Sequence, residues 1–213
     1  MKNRVPILDA GHGGMIDGVY ATGNKKRYTF QDGYEVYEGV INRAIAQNLS
    51  IKLKEAGIPF FDFNIYDNND LNLGIRTYKI NEIYAANPEA YLISIHNNSA
   101  SASTSGGGNY AKGTEIWTSK GETMSDILVP YFHNIFPEFF PFRTYRKDWK
   151  TGDIDKESNF WIICKTLCPA MLFEIGFFDN YSEVLELLQS KAGIDRTTNW
   201  LLKGIKTIYE SDI

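Results

Sequence analysis

Four side chains combine reactive chemistry with an unusual setting: His12 in Gly11-His12-Gly13-Gly14, Glu38, His96 in His96-Asn97-Asn98, and Glu174 between Phe173 and Ile175. Two imidazoles and one carboxylate make the ligand set of a catalytic zinc, with the fourth tetrahedral position left to water, and a further carboxylate can serve as base. The chain has three histidines, and two of them directly follow strand-like runs beside Gly or Asn. His12 between glycines makes a poor core residue, and the glycines let the backbone approach a ligand closely. A carboxylate in a strand as apolar as that around Glu174 is costly to bury unless it is paired, bonded or bound to metal. Glu38 taken alone reads as a charge welcome at a helix start. His133, in an aromatic segment, reads as a packing or surface histidine.

Strands that end on one edge must position these groups. Arg4 to Ala10 reads as a buried strand stopped by the glycine turn, and residues 15 to 35 read as irregular. Ile41, Ala44, Ile45, Leu49, Leu53 and Ala56 recur at three-to-four spacing, which predicts a helix from Glu35 to Ala56 ended by Gly57. Ile58 to Ile65, Ala90 to Ile95, Gly113 to Thr118, Phe160 to Cys164 and Ala170 to Ile175 read as strands. Helices are expected from Leu73 to Ala86, from Glu122 to Phe136 with Pro130 shortening or kinking it, and from near Ser182 and Asp195. The Ser/Gly-rich stretch from Ser99 to Gly108 reads as a surface loop inside one domain. This alternation implies an α/β fold: a single domain over residues 1–213, with a twisted, mostly parallel or mixed sheet of about six strands and helices on both faces. Ligands of such sheets bind beyond the carboxyl ends of the strands. Residues 12, 96 and 174 fall there, and Glu38, opening the first long helix, can face them.

Composition removes other classes. Against 26 Asp+Glu stand 22 Lys+Arg, a net charge of −4, so no chain-wide basic field exists to hold nucleic acid or anionic lipid. The longest apolar stretches fall far short of the roughly 20 residues that span a bilayer, which argues against membrane insertion. Lys2 and Arg4 are basic, but the apolar run after them meets Asp9 at once, so the chain as given shows no signal-peptide core. Cys164 and Cys168 are too few for a disulfide scaffold and lack a second Cys/His pair of zinc-finger type, so both read as buried structural thiols.

At this point the chain resembles a known family, the zinc-dependent N-acetylmuramoyl-L-alanine amidases of type 3, which include bacterial cell-wall amidases and many phage lysins. Leu8-Asp9-Ala10-Gly11-His12-Gly13-Gly14 resembles the family's first metal motif, and Glu38 with Asn42 resembles its Glu-ligand helix. Glu35 is close by, but the spacing to Asn42 favours Glu38. Arg76 and Asn81 resemble the arginine and asparagine of the next helix, and Ser94-Ile95-His96-Asn97-Asn98-Ser99 the motif of the second histidine. Pro169 through Phe177, continuing to Asn180, is similar to the segment of the catalytic glutamate.

The resemblance implies hydrolysis of the amide joining N-acetylmuramic acid to the L-alanine of a peptidoglycan stem peptide or muropeptide. It implies one Zn2+ per chain on His12, Glu38 and His96, with Glu174 taking the water proton and returning it to the leaving amine. Asn98 either contacts substrate or satisfies loop backbone, Asp9 either orients His12 or shapes the turn, and Arg76 is expected to tie its helix to nearby carbonyls or carboxylates. The loop after His96 and the segment from Phe142 to Asn159 exceed a minimal member and are candidates for substrate choice. Gly113 to Ser125 and Arg146 to Glu157 look lysin-like. A lysin is made in the cytosol and acts on the wall after release, and no wall-binding domain is expected beyond the catalytic one. A zinc carboxypeptidase or other peptidase acting on wall peptides would want the same four groups, and stands as the alternative.

Overall fold

The computed structural model describes residues 3–211, so Met1, Lys2, Asp212 and Ile213, including the basic residue noted at position 2, lie outside the description. In chain order the strands are β1 (Val5–Ala10), β2 (Met15–Ile16), β3 (Val19–Tyr20), β4 (Arg27–Phe30), β5 (Glu35–Tyr37), β6 (Phe61–Asp62), β7 (Ala90–Asn98), β8 (Ser105–Gly106), β9 (Glu115–Thr118), β10 (Lys156–Glu157) and β11 (Ala170–Phe177). The helices are α1 (Glu38–Glu55), α2 (Leu73–Ala86), α3 (Met124–Leu128), α4 (Pro130–His133), α5 (Phe136–Phe139), α6 (Trp161–Cys164), α7 (Tyr181–Glu183) and α8 (Lys191–Glu210), with a π-helical turn at Val184–Leu188.

Six strands form the main sheet in the order β10-β9-β11-β7-β1-β6. β11, β7, β1 and β6 run parallel, whereas β9 is antiparallel to β11 and carries β10 parallel to itself. The sheet is therefore mixed, as expected. Successive side chains point to opposite faces, and the central strands are apolar on both. Leu8, Ile93, Ile95, Met171 and Phe173 join a large cluster with residues of α1 and α8, while Ile7, Leu92, Ala170 and Leu172 meet Ile80 of α2 and Ile162 and Ile163 of α6. Helices thus cover both faces, and no helix among the described residues is long and apolar enough to cross a membrane.

Several local expectations are corrected. Residues 15 to 35 are not irregular: β2 and β3 pair with each other, and β4 pairs with β5 on one side and on the other with β8, supplied by the Ser/Gly stretch. Because Glu35–Tyr37 is committed to that small sheet, α1 begins at Glu38 instead of Glu35. Gly57, with φ +68°, follows its C-cap as anticipated. The strand expected over Ile58 to Ile65 shrinks to β6. Phe160 to Cys164, expected as a strand, carries α6; a four-residue apolar run has no periodicity that separates the two. The helix expected from Glu122 to Phe136 is broken into α3, α4 and α5, and Pro130 opens α4, where its missing N–H is harmless. Near Ser182 only α7 and the π turn form. The last helix starts at Lys191 and not at Asp195, because the Ser190 hydroxyl accepts from Gly193 N at 2.9 Å and caps it. Cys168 is buried but Cys164 is exposed, so the reading of two buried thiols holds for Cys168 alone.

Candidate active site

β1 delivers the chain to the site and two glycines let it turn there. Gly11 N extends the ladder to Ile95 O at 3.0 Å, and His12 then adopts a left-handed φ of +62°. A Cβ on Gly11 would lie 2.1 Å from His96 Cε1, so the imidazole of His96 rests on bare backbone. A Cβ on Gly39 would lie 2.0 Å from Gly13 O, so the first turn of α1 packs directly on the glycine loop. One turn along α1, Asn42 Nδ2 donates to Gly11 O at 3.0 Å, and its Oδ1 accepts from Asn97 Nδ2 at 2.7 Å. Asn42 therefore fastens both histidine-bearing segments to the helix that carries Glu38.

The three groups read as ligands converge. Glu38 Oε1 lies 3.1 Å from His96 Nδ1 and 3.4 Å from His12 Nε2, and the two imidazoles stand edge to face with centroids 5.1 Å apart. One ligand atom from each of His12, Glu38 and His96 lies within 4.8 Å of the others. Glu38 is fully buried; its Oε1 also accepts from Asn97 N at 3.2 Å, and Lys26 Nζ stands 3.6 Å from its Oε2. His12 Nε2, His96 Nε2 and Glu38 Oε2 are buried without a hydrogen bond. Leaving such atoms unsatisfied is costly, and two imidazole nitrogens with a carboxylate suit a divalent cation of zinc type. The residues present fit the metal.

Glu174 joins from the next strand. It pairs with His96 of β7 on one side and with Glu115 of β9 on the other, so Glu115, Glu174 and His96 form a row of side chains on one face. Glu174 Oε2 is buried and has no hydrogen-bond partner. Burial first, and the Glu38 charge second, push its carboxyl well above the ordinary range. Burial acts the same way on Glu38, but His12 and His96 outweigh it and hold that carboxyl well below the ordinary range. The His96 imidazole is lowered, chiefly by burial, with Glu38 opposing.

Other residues singled out from sequence take definite places. Asn98 Oδ1 accepts from Ser99 N at 2.8 Å, satisfying loop backbone, while its Nδ2 reaches Glu115 Oε2 at 3.3 Å at the edge of the row. Arg76 binds Asp9, as its helix-tying role requires. Asp9 makes no hydrogen bond to His12; it accepts instead from Arg76, from Ser94 Oγ at 2.6 Å and from Asn64 Nδ2 at 2.9 Å. Glu35 is exposed on β5 and bonds Tyr37. His133 packs against Tyr145, away from the cluster, with ring centroids 4.7 Å apart. Sequence reasoning missed Lys26, Glu115, Arg146 and Lys156. Glu115 Oε1 accepts from Arg146 Nε at 2.5 Å and from Lys156 Nζ at 2.8 Å. Each is a charged residue of ordinary appearance, with no motif around it.

The fold and this convergence define a class: an α/β domain with a candidate metal centre beside a buried carboxylate. Comparison with known proteins narrows it. Residues 7–207 match the family model described as N-acetylmuramoyl-L-alanine amidase. The uncharacterized protein YqiI of Bacillus subtilis (strain 168) is 27% identical over 212 residues, which cover 99% of this chain and 87% of YqiI. The fold is similar to that of an N-acetylmuramoyl-L-alanine amidase from Clostridium difficile 630, with a TM-score of 0.76, 24% identity and full coverage of both chains. It is similar also to the catalytic domain of CwlV, an N-acetylmuramoyl-L-alanine amidase from Bacillus (Paenibacillus) polymyxa var. colistinus, with a TM-score of 0.68, 25% identity and coverage of 96% and 97%. The chain belongs to the N-acetylmuramoyl-L-alanine amidase family, enzymes that act on peptidoglycan.

Proposed function

We propose that this amidase hydrolyses the bond between the lactyl group of N-acetylmuramic acid and L-alanine with one Zn2+ per chain, held by His12, Glu38 and His96. The observation that carries this reading is the set of three mutually adjacent donors with buried atoms that make no hydrogen bond, beside a carboxylate on the neighbouring strand. Zinc bound there supplies Lewis acidity, which polarises a carbonyl oxygen and acidifies water. Glu174 acts as the general base that takes the proton of the attacking water and then, as acid, gives it to the leaving amine of L-alanine. Asn42 and the bare backbone of Gly11 hold the ligand side chains in register. Asn98 borders the row and is assigned to substrate contact through its Nδ2.

We read residues 1–213 as one catalytic domain, because the helices on both faces share the same central strands, and we place its action on the cell wall. The lysin-like reading rests on the segments Gly113 to Ser125 and Arg146 to Glu157.

The decisive experiment digests purified peptidoglycan with and without a chelator and identifies the fragments by mass. Stem peptides with a free L-alanine amine and an intact glycan are expected, and the chelator should abolish them until zinc is restored. Release of single amino acids instead would point to a wall peptidase. Glu174→Gln should keep bound zinc while lowering kcat by about 10²–10⁴-fold, the scale of a lost general acid–base. Parent activity in this variant would remove Glu174 from the mechanism.

A further inference from the structure

The row Glu115–Glu174–His96 gives the substrate a direction, if the amidase reading above holds. Glu174 delivers its proton to the leaving nitrogen, so that nitrogen lies against Glu174, and the acyl half lies on the side of His12 and His96. The peptide that starts at this nitrogen then continues over the far side of Glu174, where the next strand places Glu115.

Glu115 is buried, yet it holds two cations on one oxygen, Arg146 by Nε and Lys156 by Nζ. Arg146 is engaged through Nε alone instead of the two-pronged grip usual for a carboxylate. Its Nη1 reaches Lys112 O at 3.4 Å, and its Nη2 makes no hydrogen bond among the described residues. Aromatic faces position both cations: Arg146 lies over Phe177 and Lys156 over Trp117, each at 5.2 Å from the ring centroid. Their side chains are 36% and 19% exposed, so an incoming anion can reach them. Arg146 and Lys156 are thus preformed, partly desolvated cationic donors at the edge of the row.

We propose that Arg146 and Lys156 form a subsite for a carboxylate of the stem peptide on the leaving-group side, so that these two residues set which wall peptides the enzyme prefers. Two carboxylates share the required chemistry: the α-carboxylate of the γ-linked residue that follows L-alanine, and the carboxylate at the peptide's C-terminus.

The test uses the zinc-loaded full chain and three N-acetylmuramoyl peptides of equal length: all carboxylates free, the second residue's α-carboxylate amidated, and the C-terminal carboxylate amidated. Losing a charged hydrogen bond should lower kcat/KM by about tenfold or more for one amidated substrate, which identifies the carboxylate. Arg146→Met and Lys156→Met, each checked for parent zinc content and parent melting, should bring the ratio of free to amidated substrate towards one. Equal kcat/KM for all three substrates with the unmodified enzyme, a comparison that needs no variant, overturns the subsite. So does a ratio unchanged in both variants. If the enzyme leaves even the fully free substrate intact, the amidase reading fails, and the subsite with it.

Discussion

Gly11 decides whether His96 can stand where it does. A methyl at that position would overlap the imidazole, 2.1 Å from Cε1 and 2.4 Å from Nε2, and the ring has buried neighbours around it. Gly11→Ala should therefore weaken zinc binding by about 10–100-fold, the range seen when the orientation of a ligand is disturbed, while circular dichroism shows a folded chain. Parent affinity in a zinc titration would mean that the ring is not held as described. Beneath the site, Asp9 is fully buried and burial opposes its ionisation, yet the Arg76 charge and the Ser94 hydroxyl prevail and hold its carboxyl below its ordinary value of 3.8. A carboxylate depressed in this way stabilises the fold at pH above about 3.8, and the contribution is lost as pH falls through the folded-state value. Arg76→Ala strands a buried charge, which costs about 3–5 kcal/mol. That deficit should shrink as pH falls, because burial, acting on Asp9 without its main opponent, raises its carboxyl so that the folded variant takes up a proton and the stranded charge disappears. Urea titrations across pH 3 to 7 test both effects, and matching curves for parent and variant would refute them.

At the scale of elements, α8 shows how packing overrides propensity. Trp200 of α8 donates from Nε1 to Phe132 O at 2.9 Å and stacks edge to face among Phe132, Phe136, Phe140 and Phe173. Gly204, one turn on, makes room for the Phe132 ring: a Cβ there would meet Phe132 Cδ1 at 2.4 Å. Alanine would gain about 1 kcal/mol of helix propensity but overpack a full core at about 1–3 kcal/mol. Gly204→Ala should lower Tm by up to about 8 °C, and a raised Tm in calorimetry would show that the ring yields freely. The same contrast explains what could be read from the chain. α1 was legible because its apolar periodicity agrees with its burial, the central strands because they are continuous apolar runs buried on both faces, and His12, His96 and Glu174 because they fall at or near the ends of those runs. α6 was not, since Trp161 to Cys164 is too short to show a period. β2 to β5 were not, since strands of two to four residues leave little apolar pattern even where Tyr28, Phe30 and Val36 are buried. Glu115, Arg146 and Lys156 escaped for a different reason: what joins them to Glu174 is the antiparallel pairing of β9 with β11 and the return of β10, a tertiary event without a local signature.

For the molecule as a whole, the metal reading makes a claim about folding. The three proposed ligands come from the turn after β1, the start of α1 and the end of β7, elements that also carry the main apolar cluster. Without a cation, the folded state bears the cost of buried atoms on His12, His96 and Glu38 that make no hydrogen bond. An ion that binds only this folded arrangement stabilises it by about 2.7 kcal/mol at a free concentration of 100 times Kd. In a chain of 213 residues, each kcal/mol is worth roughly 2–4 °C in Tm. Saturating zinc should thus raise Tm by about 5–10 °C over the chelated protein. Since β1, β7 and β11 carry apolar residues on both faces of one sheet, the shift should move a single cooperative transition instead of splitting it. His12→Ala/His96→Ala should melt at the same temperature with and without zinc. A parent protein whose calorimetric trace ignores the chelator, or a double variant that still responds to zinc, would place the metal somewhere other than at these three residues.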